Sequence, residues 1–227
     1  MEKHKPTSLA EQVFLRLEED IINGVHPRGS LLSETTLVEA LGVSRTPIRE
    51  ALHRLQEEHL IDITPKGILI LGVTSEDLVD IYEIRVRIEG LAASFCALRA
   101  SDEDLKELGE ALNLQEHYVS VHDADRIKSF DSSFHEIIYR LSGSAVLRDI
   151  LLPLHKKVQK YRKASVESDS RAVHSLEEHK AIYDAIVAHD PVRVEEAMRR
   201  HVQNAKSHIQ RSGGIELRDS RDAEGKE

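Results

Sequence analysis

Four side chains stand where a helical core ought to be apolar. Between residues 123 and 141, Ile127, Phe134 and Ile138 recur on one helical face, and Asp131 and His135 share that face four residues apart. Further on, His179 falls in register with Leu176, Ile182, Tyr183 and Ile186, and His201 with Val194, Met198 and Ala205. One carboxylate and three imidazoles drawn inward from three helices form the donor set of a divalent ion. Zinc, nickel, manganese and iron all accept such a set. Periodicity alone leaves alternatives open. The chain has 13 histidines, an inward histidine is often a hydrogen-bonded core residue, and His155, His174 and His208 are rival ligands. Arg85 is a further inward polar group, on the stripe of Ile81, Ile88 and Ala92. A buried guanidinium needs an anion. That anion is either Glu89, at i+4, or the carboxylate of a ligand, which the arginine fork suits.

A second cluster carries a different chemistry. Over residues 42–55 (GVSRTPIREALHRL), Ile48, Ala51, Leu52 and Leu55 form an apolar stripe. Arg45, Arg49 and His53 lie four apart on the other side. Arginine suits guanine edges or phosphates, and the Ser44 and Thr46 hydroxyls with the free amides of a helix start suit phosphate. A solvated basic helix is the plainer alternative for this spacing.

These groups need elements to position them. Leu9, Val13, Leu17 and Ile21 predict a helix over 9–23, which Gly24 and Pro27–Gly29 end. Ser33 caps a short helix to Leu41, Gly42-Val43 turns tightly, and Ser44 caps a helix from Arg45 to Glu58. Ile61–Thr64 and Leu69–Val73 read as two strands around Pro65-Lys66-Gly67, a hairpin. From Thr74 onward the pattern is of long helices. Ser101-x-x-Asp104 and Ser175-x-x-Glu178 read as capping boxes, and Asp190-Pro191 as a cap followed by a first-turn proline. A further helix spans 144–163 with a kink at Pro153. The expected organisation is therefore mainly α. Residues 1–73 form a winged helix-turn-helix, 74–211 an all-helical antiparallel bundle, and 212–227 a disordered tail.

Composition narrows the setting. Aromatics make up only 4% of residues and tryptophan is absent, which suits helices packed through Leu, Ile, Val and Ala. A single cysteine, Cys96, excludes an internal disulfide. The N-terminal residues lack an apolar signal core and no run approaches membrane-spanning length, so a cytoplasmic protein is expected. The net charge of -9 argues against a uniformly basic nucleic-acid binder, but not against a local basic face.

Particular motifs now carry a resemblance. Pro27, Gly29, Leu32-Ser33-Glu34, the unbroken run from Gly42 to Leu52, Leu60-Ile61 and Gly67 resemble the winged helix of the GntR family of bacterial regulators. Three positions depart from its pattern: Arg28 separates Pro27 from Gly29, Thr35 stands where some relatives carry arginine, and His59 replaces a common glycine. Downstream, Tyr82 to Glu89, Phe130-Asp131-x-x-Phe134-His135, Glu178-His179-x-x-Ile182 and Ala197-x3-His201 are similar to the FCD ligand-binding domain of the FadR subfamily.

The resemblance implies Ser44, Arg45, Thr46 and Arg49 at DNA, with Lys66 and Gly67 of the wing beside them. It implies Asp131, His135, His179 and His201 as ligands of a divalent metal. The expected protein is a homodimeric regulator, a repressor rather than an enzyme, on a palindromic operator. Its ligand would be a small organic acid held by Arg85 and the metal. Two rival readings are a regulator for which the ion itself is the signal and, from another class, a metal-dependent enzyme.

Overall fold

The computed structural model describes residues 8–158 and 169–211, and the chain divides into two compact units, Met1–Thr74 and Ser75–Glu227. The segment 212–227, expected to be a disordered tail, lies outside the described residues.

Among the described residues the first unit is a three-helix winged helix. Helix α1 (Leu9–Ile22) starts where Ser8 accepts the Glu11 amide. It buries Val13, Phe14, Leu17, Ile21 and Ile22. Helix α2 (Glu34–Leu41) is capped by Ser33, which accepts the Thr36 amide, and ends at Gly42 in the left-handed region. Helix α3 (Arg45–Glu57) follows after a tight turn and turns Ile48, Ala51, Leu52 and Leu55 into the shared core. Ser44 stands at its N-cap position but makes no side-chain capping bond, so its hydroxyl is not consumed by the helix.

Three strands close this core: β1 (Leu31–Leu32), β2 (Ile61–Thr64) and β3 (Gly67–Ile70), in the order β1-β3-β2 with both pairings antiparallel. The hairpin is where the sequence pattern puts it, though its second strand starts at Gly67 rather than Leu69. The short β1 carries no periodicity of its own and was not expected. Gly67 is forced by it: a Cβ there would sit 2.8 Å from the Leu32 carbonyl oxygen, and its φ is +131°. His59 takes the left-handed conformation with φ +58°, so the departure from glycine does carry a backbone penalty. The reversal is held by the Leu60 amide donating to the Leu55 carbonyl at 2.9 Å. Arg28, the other departure, ties its loop to the end of the sheet by donating to the Leu71 carbonyl at 3.1 Å.

The second unit is all helix among the described residues: α4 (Ser75–Arg99), α5 (Asp102–Ser120), α6 (Ala124–Leu141), α7 (Ala145–Lys157), α8 (Asp169–Val187) and α9 (Pro191–Arg211). The Ser101–Asp104 capping box is present in both directions, and Asp190 accepts the Arg193 amide at 3.0 Å as expected of the cap. Two sequence expectations are corrected. Helix α7 continues through Pro153 and ends at Lys157, not 163; most of that predicted extension lies outside the described residues. Ser175 and Glu178 are not a capping box, because α8 is already under way at Asp169. Their side chains turn inward to other partners instead.

Helix α4 packs along α9, and α5 packs along α6 and α8. The α4–α9 approach is tight at Gly90, where a Cβ would meet the Glu195 backbone oxygen at 2.9 Å. Cys96 is fully buried, and burial pushes its thiol up to about 12, so it behaves as a small core residue. No helix among the described residues is long and apolar enough to cross a membrane. Gly90→Leu should lower the melting temperature of the helical unit, at a cost of about 1–3 kcal/mol. Leucine is a good helix former, so any loss reports the collision with α9 and not propensity. An unchanged thermal melt by circular dichroism would show that α9 is free to move away.

Candidate functional site

The helical unit brings the four predicted ligands into one buried place. Asp131 and His135 come from α6, His179 from α8 and His201 from α9, and none is more than 2% exposed. His135 Nε2 and His201 Nε2 are 3.2 Å apart, and His179 Nε2 and His201 Nε2 are 3.3 Å apart. All three nitrogens lie within 4.8 Å of one another. Asp131 Oδ1 stands at the edge of this group, 3.7 Å from His179 Nε2, and accepts the Ser175 hydroxyl at 3.3 Å. Phe134 stacks on the His179 ring with centroids 4.4 Å apart, which closes one side with an apolar face.

Each imidazole is held from behind through its other nitrogen. His135 Nδ1 faces Glu89 Oε2 at 3.1 Å, His201 Nδ1 faces Glu178 Oε2 at 2.7 Å, and His179 Nδ1 faces Gln115 Oε1 at 2.8 Å. Burial works against the charged form of Glu178, yet His201 and Arg171 outweigh it and hold the carboxyl at about 2. Burial also opposes ionisation of Glu89, but Arg85 and His135 hold its carboxyl well below the usual range. An ionised carboxylate only accepts, so Nδ1 of His135 and of His201 must donate. The Gln115 oxygen places the same demand on His179. Each Nε2 therefore carries a lone pair toward the other two.

Lone pairs facing each other, with His201 Nε2 3.2 Å from that of His135 and 3.3 Å from that of His179, cannot hydrogen-bond to one another. A shared cation resolves the arrangement. Two nitrogens bound tetrahedrally to one zinc at about 2.0–2.1 Å lie roughly 3.3 Å apart, so the residues present fit such an ion. The acceptors behind the ligands, Glu89, Gln115 and Glu178, fix ring orientation and tautomer. Sequence reading missed all three. Glu89 was paired only with Arg85, and Glu178 was taken for a capping residue. No spacing rule links α4, α5 and α8 to these rings.

Arg85 is fully enclosed and its Nε donates to Glu89, the intrahelical pair weighed above. Its Nη1 is also buried, with no hydrogen-bond partner among the described residues. Of the rival histidines, His155 is buried beside His135, with ring centroids 5.1 Å apart, and Tyr139 OH lies 3.3 Å from its Nδ1. Glu89, His135 and His155 form a second grouping of possible ligands, but Arg85 already neutralises that carboxylate. His174 and His208 line a separate cleft.

In the winged helix, Ser44, Arg45, Thr46 and Arg49 are exposed along the start of α3, and Lys66 is exposed at the hairpin turn before Gly67. Arg49, His53, Thr64 and Gly67 line one cavity of about 280 Å³ between α3 and the hairpin, so helix and wing share a surface. Glu34, in the first turn of α2, also serves α3. It accepts Arg49 Nε at 2.9 Å and lies 3.7 Å from Arg45 Nε. The Arg49 hydrogen bond holds its carboxyl below the usual range. Its sequence separation from Arg49 is 15 residues, beyond any helical period.

A winged helix followed by a separate helical bundle defines a DNA-binding regulator of two domains. Two families match the chain: the FCD domain over residues 80–204 and the bacterial regulatory proteins of the gntR family over residues 9–67. The chain belongs to the GntR family of transcriptional regulators, with an FCD domain as its second unit. It is 29% identical to the uncharacterized HTH-type regulator YdhC of Bacillus subtilis over 208 residues, 90% of this chain and 88% of that one. It is 26% identical to the transcriptional repressor RspR of Escherichia coli, over 88% of each chain. In fold it is similar to E. coli McbR/YncC, with a TM-score of 0.78 at 23% identity, covering 91% of this chain and 99% of that one. The protein is a DNA-binding transcriptional regulator.

Glu34→Gln should release Arg45 and Arg49 from a competing carboxylate without altering the thermal melt. Binding to a non-specific duplex should then tighten and depend more steeply on salt. Anisotropy titrations at two salt concentrations measure both effects. Identical slopes in parent and variant would mean that the two arginines do not reach the phosphates.

Proposed function

We propose that the protein is a ligand-responsive repressor of the FadR subfamily. It would work as a homodimer on a palindromic operator, through Ser44, Arg45, Thr46, Arg49, Lys66 and Gly67. Its operator affinity would be set by a small organic acid bound near a divalent ion at Asp131, His135, His179 and His201. The observation that carries this reading is the convergence of three Nε2 lone pairs with acceptors fixed behind each ring. When bound, an ion there neutralises the lone pairs and offers open positions to a ligand carboxylate. Arg85 supports the organic acid: its buried Nη1 is an orphan donor, and such donors are rare unless a ligand or water meets them. Effector binding then alters operator affinity by as much as it favours one state over the other.

The test uses operator-length duplex, metal-loaded and chelator-treated protein, and the variants His135→Ala and Glu178→Gln. His135→Ala should lose metal retention. Glu178→Gln keeps the side-chain shape but weakens the acceptor at His201, so metal affinity should fall about 10–100-fold. A carboxylate that shifts operator affinity in the loaded parent should have no effect on His135→Ala. If added zinc, nickel or manganese neither binds nor stabilises the parent, the cluster is a polar core network and the reading fails. If operator affinity follows metal alone, the ion is the signal.

The homodimer reading is supported by α4. Ile84, Leu91 and Leu98 recur every seven residues and are exposed, and α7, which packs against α4, adds exposed Val146 and Ile150. A straight apolar stripe of this kind is self-complementary across a two-fold axis. Leu91→Glu should convert a dimer to a monomer in light scattering at micromolar concentration, with helicity retained. A dimer that survives this change uses another face.

A further inference from the structure

We propose that the helical unit carries a second ligand site, for a small oxyanion, in the cleft between α8 and the last turns of α9. The cleft holds about 400 Å³. Arg171, His174 and Glu178 line it from α8, and Asn204, Ser207, His208 and Arg211 from α9. The spacings put each set on one helical face, so the lining is a consequence of two helices lying side by side.

The lining is a set of cations and hydrogen-bonding groups around a single saturated acid. Glu178 is the one carboxylate among these residues, and both of its oxygens are engaged. Oε2 accepts His201 Nδ1 at 2.7 Å and both terminal nitrogens of Arg171 at 3.0 Å, and Oε1 accepts Asn204 Nδ2 at 2.8 Å. Two arginines face that one charge, so the lining is net positive in a chain whose net charge is -9. Arg171 is only 8% exposed. Its guanidinium is fixed by the protein before any ligand arrives, which lowers the ordering cost of recognition.

His208 shares the lining with the two arginines. Burial first, and then the Arg171 and Arg211 charges, push its pKa below the ordinary value. Cations that disfavour a third cation favour an anion in the same place. Guanidinium, amide and hydroxyl groups together match the oxygen edge of a carboxylate or a phosphate. None of the described lining residues is of a hydrocarbon type. The site is separate from the pair of readings made for Arg85 and the histidine centre. It touches that centre only through Glu178, which forms the cleft's inner wall and holds His201.

The experiment is calorimetric titration of full-length protein with inorganic phosphate and, separately, with succinate. Both run on chelator-treated and on zinc-loaded samples. Saturable binding of phosphate or succinate to the chelated protein is expected, and Arg211→Gln should weaken it about tenfold or more. Arg211 is exposed at the end of the described helix, so this variant keeps the parent's thermal melt. Arg171→Gln should weaken binding further. The tighter of the two anions names the ligand class, phosphoryl or carboxyl, and either supports the site. Absence of saturable binding with both anions overturns the proposal. So does binding that appears only with zinc and is unchanged in Arg211→Gln, because that anion sits at the histidine centre. In that case the reading of the metal centre stands and the cleft is only a solvated groove.

Discussion

Three imidazole nitrogens pointing at one another is an arrangement that neutral protein chemistry does not tolerate, and the helical unit is organised around it. His135, His179 and His201 come from three different helices. Each ring is turned inward by an acceptor on its far side, at 2.7–3.1 Å. Two of those acceptors are carboxylates kept ionised by arginines, Arg85 behind Glu89 and Arg171 behind Glu178. The order of dependence therefore runs outward from the centre. Arginine holds carboxylate, carboxylate holds imidazole, and imidazole presents a lone pair. Buried polar groups in such a network are costly when any member is missing. The surrounding Phe134, Ile138, Ile182 and Met198 are fully buried and keep water from relaxing that cost.

How much of this was legible in the sequence follows from the range of each interaction. Asp131 and His135 are four apart on one helix, and helical period alone makes them neighbours. His179 and His201 were recognisable because each interrupts an apolar stripe. Glu89, Gln115 and Glu178 were not. Each acts across a gap of 23 to 64 residues in sequence, and an acidic residue on a helix is ordinarily a solvated one. Ser175 shows how local rules mislead. A serine three residues before a glutamate has the pattern of a cap, but the helix begins earlier, so the hydroxyl turns to Asp131 instead.

The same division appears in the winged helix. Helix α3, the Ser33 cap and the hairpin turn are local patterns, and they were read within a residue or two. Strand β1 was missed because two residues carry no period and exist as a strand only by pairing with β3. Gly67 was read as part of the turn. Its strict requirement comes from the Leu32 carbonyl across the sheet. Glu34 belongs to α2, while its carboxylate serves α3. A residue's type and helix position can be read from sequence, whereas its cross-element partner needs the fold.

Covalent continuity supplies a route between sensing and DNA reading that needs no contact between the two units. Strand β3 of the wing ends at Ile70 and α4 begins at Ser75, so four residues join the wing to the helix that carries Arg85 and Glu89. Arg85 is committed to Glu89, and Glu89 in turn holds His135. A ligand carboxylate that engaged the Arg85 guanidinium would compete with Glu89 for it, and Glu89 is the group that orients a ligand of the histidine centre. Under the proposed function, effector and metal therefore meet at one carboxylate on α4. A change in that carboxylate's partners is borne first by the helix directly connected to the wing. Under that same proposal, the differential affinity that regulation requires would be seated at Arg85, in its choice between Glu89 and a ligand carboxylate.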